Sequence, residues 1–235
     1  MRKFLVIAAA LAAIHAPAQI AEVSAPRPLL RGVQSNMYHP QLSSDGRYLK
    51  FTDDREDNAR IYDFEDNVTV RLDDADAATR SAITPQSAVT ARVEDSRLII
   101  GINGHEQAYT PVEAYAGYLW PSVSPDRTKV MFVAAGKGIV ITDLQGNIIS
   151  RPGNRRLEAP AWFGNDYIVA MNSTDDGHQI ESSQILLLSI DGSQSQALTS
   201  PESMTMFPTA CLSTGKVIYN TIDGKLLQLD VKIVK

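Results

Sequence analysis

The sequence predicts an all-β propeller of five blades, each about 40 residues long and built from four short antiparallel strands. Three observations predict it. A hairpin pattern recurs at Pro40, Pro121, Pro160 and Pro208. Apolar residues stand at fixed offsets behind each proline: Leu42, Val123, Trp162 and Ala210 two residues on, Leu49, Val130, Val169 and Val217 nine on, Phe51, Phe132, Met171 and Tyr219 eleven on. No stretch carries a convincing helical period.

The clearest copy covers residues 119–132, LWPSVSPDRTKVMF. Proline is tolerated at the first residue of a strand, where its missing N–H need not join a ladder. Pro125 presets φ for a β-turn and Asp126 is ordinary turn chemistry beside it. Val130 and Phe132, two apart, then share one face of the second strand. A degenerate fifth copy fits between the first two, with Val89 in the proline column and Ala91, Leu98 and Ile100 in the others. Third strands are expected at residues 60–64, 138–144, 184–190 and 225–230, and fourth strands near 68–72, 148–151 and 195–198. The last blade runs out after three strands. Residues 27–34 therefore supply its fourth, closing the ring and removing exposed sheet edges. Six blades is the alternative count.

The first residues form a separate segment. Arg2 and Lys3 precede an apolar run over 4–14, and Ala16-Pro17-Ala18 fits a signal-peptidase site. Residues 1–18 are expected to be a cleaved signal peptide, leaving one domain over 19–235. No cysteine stands near the cut for a lipid anchor, and the run is too short to span a bilayer comfortably. The expected compartment is periplasmic or extracellular, with no integral membrane span. Loss of Arg2 and Lys3 moves the net charge from −5 to −7. That acidic surface, without Lys/Arg runs, argues against nucleic acid as a partner. The single cysteine, Cys211, excludes an intrachain disulfide and a structural Cys-based zinc site.

The segments YHPQLSSDGRYLKF and LWPSVSPDRTKVMF resemble the WD40-like blade repeats of TolB-type propellers, whose consensus runs Pro, x, apolar, Ser-Pro-Asp-Gly and then a strand. Ser44 stands for the turn proline in the first copy and Arg127 for the glycine in the third. The fourth and fifth copies depart further, with FGND at 163–166 and LSTG at 212–215. Similar repeats occur in the propellers of prolyl-oligopeptidase-type enzymes. The resemblance implies a propeller fold and, more weakly, a protein-binding scaffold in the bacterial envelope.

Catalytic chemistry finds little footing. There is no G-x-S-x-G elbow and no α/β half to hold one. His39, His105 and His178 fall in different blades, so a zinc site would need three loops to converge. The acidic loop at 53–58 lacks the spaced oxygen ligands of a calcium loop and reads as a solvated hairpin, and 172–177 fails the same test. Neither a metal nor a cofactor is expected. Among the residues entering the inner strands only Glu158 is a carboxylate, whereas glycoside hydrolysis needs two. The remaining entrance residues suggest a binding rim: Tyr38, His39, Tyr118, Trp120 and Phe207, with Glu158, at one mouth of the channel. Aromatic side chains with a polar tip anchor proteins and sugars. The alternative is that they plug the channel by packing on neighbouring blades. Trp120 is expected to be extended before Pro121 and part-exposed beside Tyr38 and Phe207. A protein or peptide partner is the first expectation, and a glycan-binding or glycoside-hydrolysing propeller the second.

Overall fold

The computed structural model describes residues 19–30, 36–84, 87–113 and 116–234. The chain opens with two short strands, β1 (Ala21–Val23) and β2 (Arg27–Pro28). Blade one follows as β3 (Tyr38–Leu42), β4 (Tyr48–Thr52), β5 (Arg60–Asp63) and β6 (Val68–Arg71). A helix, α1 (Ala77–Ile83), leads into blade two, β7 (Val89–Glu94), β8 (Arg97–Ile102) and β9 (His105–Tyr109). Blade three is β10 (Tyr118–Val123), β11 (Lys129–Ala134), β12 (Gly138–Asp143) and β13 (Ile148–Ser150). Blade four is β14 (Leu157–Phe163), β15 (Tyr167–Asp175), β16 (Ile180–Ser189) and β17 (Ser195–Ala197). Blade five is β18 (Thr205–Cys211), β19 (Lys216–Thr221) and β20 (Leu226–Ile233), completed by the N-terminal strands. The five sheets stand in a propeller ring, and blade two has three strands among the described residues.

Closure follows the expected logic but begins earlier in the chain. Ala21 pairs with Ile233 and Val23 with Val231, and Arg27 rejoins the same strand opposite Gln228. Residues 31–34, also assigned to this strand from the sequence, lie outside the described residues together with 1–18. The seal is bonded on its other side too. The Gln196 amide accepts the N–H groups of Ile20 (2.8 Å) and Ala21 (2.9 Å) and donates to the Ala21 carbonyl (2.9 Å).

Two expectations need correction. The helix α1 was not expected; with seven residues and only Ile83 buried, it is too short for a period to register. Asp76 caps it, accepting from the Thr79 N–H at 2.8 Å. It wedges beside blade one, where Ala75 and Ile83 meet Ile61. The repeated proline, moreover, sits inside the inner strand and not at its first residue. In blades one, three, four and five the ladder slips at this point, so that two residues face one. The residue before each proline has positive φ: His39 at 51°, Trp120 at 49°, Ala159 at 44° and Phe207 at 48°. Trp120 is therefore not extended. A bulge is one of the few sheet positions where proline's missing donor does no harm. Blade two, which lacks the proline, pairs without a slip from Val89–Ile102 to Glu94–Arg97.

Apolar columns two residues apart fill the spaces between blades. Leu98 and Ile100 of blade two meet Val130, Phe132 and Val140 of blade three, and Met131, Ile139 and Ile141 on the opposite face of blade three meet Leu157 and Ile168 of blade four. Between blades five and one the contact closes as tightly at the turns. A Cβ on Gly46 (φ 72°) would lie 2.6 Å from the Thr214 hydroxyl, which explains the glycine in the first copy.

One turn device recurs. Ser43 donates to Asp45 (2.5 Å) and accepts the Tyr48 N–H (2.9 Å); Ser124 does the same with Asp126 and Lys129, and Ser189 with Asp191 and Gln194. These bonds favour the ionised carboxylate. The Ser43 hydroxyl holds Asp45 below the usual carboxylate range, and the Ser189 hydroxyl pulls Asp191 down to about 2. At Asp126 burial pushes upward, but hydrogen bonds from Ser124, Thr128 and Lys129 prevail and the group is lowered. A folded-state pKa below the unfolded one contributes stability above the unfolded value, and that contribution is lost as pH falls through the folded value. The melting temperature is therefore expected to fall steadily from about pH 4 to about pH 2. Calorimetry across that window checks it, and a flat profile would contradict the role given to these turns.

Candidate functional site

Antiparallel pairing places the start of each inner strand beside the end of the next strand. The inner-strand entrances and the second-to-third strand turns therefore share one mouth of the channel. Blade one brings Tyr38, His39 and the turn at 53–58 there, blade three Trp120, blade four Glu158 and the long β15–β16 hairpin, and blade five Phe207.

At this mouth, His39 of blade one lies against Phe207 of blade five, with ring centroids 4.5 Å apart and planes tilted by 50°. The Tyr38 ring stands 6.5 Å from His39, and its hydroxyl donates to the Ile222 carbonyl at 3.3 Å. Glu56, from the acidic turn, also approaches His39, with 3.8 Å between Oε1 and Nε2. Both His39 and Phe207 stand on the bulges described above, which reaim the side chain from the strand's normal alternation. Positive φ in a non-glycine residue is costly, and it persists only where the surroundings impose it.

Trp120 stands on the matching bulge of blade three and is 38% exposed, with Leu119 at 44% beside it. Among the described residues its indole pairs with neither the Tyr38 nor the Phe207 ring, so the expected contact is not made. Tyr118 belongs to the core instead: it is 4% exposed, packs its ring 4.6 Å from Phe132 and donates its hydroxyl to the Val112 carbonyl. Strand alternation separates Tyr118 from the exposed pair that follows it, and a bulge two residues on cannot be read from composition.

Glu158 is half-buried on β14, opposite Met171. Burial raises its pKa, the Asp175 carboxylate raises it further, and a hydrogen bond from Ser173 opposes both. Asp175 was missed from the sequence because it lies on a hairpin read only for calcium; strand pairing alone carries it back toward the inner-strand entrance.

The acidic turn is occupied with itself. Asp53 accepts the N–H groups of Arg55 (3.1 Å) and Asp57 (2.8 Å) and the Asn58 amide (2.6 Å). Asp143 uses the same arrangement with Gln145 and Asn147, so this is loop architecture. No group of three or more potential metal ligands gathers among the described residues. The opposite end of the channel is a cavity of about 490 Å³ whose lining includes Ile83, Ser122, Pro160, Trp162, Thr209 and Cys211. Cys211 is buried there with its thiol against the Ser44 carbonyl and the Ser213 hydroxyl, as a small core residue. Among the described residues no helix is long and apolar enough to cross a membrane.

No family model matches the chain, and no curated protein matches it. Among solved structures it is similar to a chain described as a TolB from Agrobacterium tumefaciens, at 18% identity and a TM-score of 0.46, over 85% of this chain and 80% of that one. It is also similar to TolB from Acinetobacter baumannii, at 11% identity and a TM-score of 0.40, over 84% of this chain and 56% of that one. The chain thus spans a little over half of the second protein. These are likenesses of fold and carry no functional argument.

Proposed function

We propose that the chain is an exported, non-catalytic TolB-like propeller scaffold of the cell envelope that binds a protein or peptide at the aromatic mouth of its channel. The observation that carries this reading is the set of bulges that hold His39, Phe207 and Trp120 at one mouth in a strained backbone conformation. Strain kept at a surface position favours a role for the side chain. Aromatic anchors with a histidine among them suit a peptide whose side chains enter between the rings. The leader at 1–18 supports export. The reading uses no metal, no cofactor and no nucleic acid.

The test is a pull-down from envelope extract with the mature chain as bait, run beside Phe207→Ala. Recovery of one protein species by the parent chain, lost with the variant, is the expected result. Recovery that the variant leaves unchanged would refute the mouth as the binding site.

One observation favours a second reading, a glycan-binding or glycoside-hydrolysing propeller. Glu158 is a half-buried carboxyl with a raised pKa and a second carboxylate, Asp175, acting on it. Pairs whose environments push the two groups apart are the acid–base chemistry of glycosidases. A glycan panel separates the readings: turnover abolished by Glu158→Gln would favour the enzyme, and no turnover leaves the scaffold.

A further inference from the structure

We propose that the outer edge of blade two is a strand-acceptor site for an extended, basic segment of a partner protein, separate from the channel mouth. Among the described residues this blade stops at β9, where the other blades carry a fourth strand. Its edge is thus set back by about one strand spacing, roughly 4.8 Å. Alternate residues of β9 turn their N–H and C=O groups outward, and among the described residues these make no bond beyond the pairing with β8.

The flanking blades supply walls. Ile61, packed on the helix side of blade one, pairs with Val70, so Val70 and Val68 share the face turned toward blade two. On the other side Val130 packs with Leu98 and Ile100 of blade two and pairs with Thr142, which pairs with Ile148. Ile148 therefore also faces blade two. Val68, Val70 and Ile148 are 49%, 38% and 40% exposed, a large apolar exposure for residues on blade-facing surfaces. A fourth strand in the gap would cover them.

The geometry selects the occupant. A set-back edge between two protruding strands is closed to the edge of another sheet but open to a single extended segment, which adds by main-chain hydrogen bonds. Charge selects its sign. Residues 65–113 hold nine carboxylates, four arginines and no lysine, a net of −5 that matches the charge of the whole chain. Across the blade, Arg92 of the inner strand β7 is already shared between Glu94 of β7 (2.7 Å) and Glu106 of the edge strand β9 (2.6 Å). A lysine on the incoming segment would meet the surplus carboxylate charge.

Fluorescence anisotropy with a labelled seven-residue peptide of alternating lysine and valine tests this on the purified chain. Saturable binding with a Kd on the order of 10–100 μM is expected, from main-chain hydrogen bonds along one short strand. The same peptide N-methylated at alternate backbone positions keeps its side chains but should bind at least about tenfold more weakly. Hydrogen exchange should slow at residues 105–109 when the peptide is bound. Val70→Lys and Ile148→Lys, at exposed positions whose folding a melting curve verifies, should each weaken binding. No saturable binding by the folded chain, equal affinity of the methylated peptide, or protection confined to another strand would each overturn the proposal. So would concentration-dependent dimerisation that protects residues 105–109 without peptide, since a second copy would then be the occupant.

Discussion

Replacing Phe132 by alanine is expected to destabilise the fold by about 3–5 kcal/mol, the usual cost of emptying a buried phenylalanine site. Phe132 is fully buried in β11, beside Tyr118 and between blades two and three. It is also the residue that faces the Trp120–Pro121 bulge across the ladder. Collapse around the cavity is limited, because Tyr118 is held by Val112 and the neighbouring residues belong to regular strands. In a domain of this size the loss corresponds to a melting temperature lower by about 6–20 °C. Denaturant titration of parent and variant, with equal slopes, measures it. A cost below about 1 kcal/mol would mean that the blade two–blade three interface repacks freely.

Trp120→Ala is expected to behave in the opposite way, weakening partner binding by about 2 kcal/mol or more while leaving stability within about 1 kcal/mol of the parent. The indole is 38% exposed, so truncating it removes anchor surface and opens little cavity. Backbone strain supplies an internal control. At φ 49° a glycine is unstrained, so Trp120→Gly should be at least as stable as Trp120→Ala while binding equally poorly. Affinity for the protein recovered in the pull-down and the melting curves of the two variants check this. A collapsed melting temperature with unchanged affinity would show that Trp120 is a structural plug and not part of a binding rim.

The blade architecture was legible because it is repeated and local. Pro40, Pro121, Pro160 and Pro208 with the apolar columns behind them mark hairpins, and a hairpin's register follows from its own turn and its period-two alternation. The strands expected from those columns appear within a residue or two in most cases, and the degenerate copy at Val89 folds as a blade because Ala91, Leu98 and Ile100 still share one face. Closure by an N-terminal strand was legible as a count of strands, since an incomplete last blade needs one more. Tertiary structure decided what depends on neighbours distant in sequence. The proline column proved to be a bulge because the opposing strand, ten or more residues away, has one residue where the inner strand has two. That slip aims His39, Trp120 and Phe207 and leaves Tyr118 in the core, a choice no local propensity encodes. The short helix and the set-back edge of blade two likewise follow from how blades one, two and three fit around the ring. Strand identity is written in period-two patterns that each segment carries by itself; the direction of a side chain on a bulge and the filling of a gap between blades depend on long-range packing, which only the closed ring supplies.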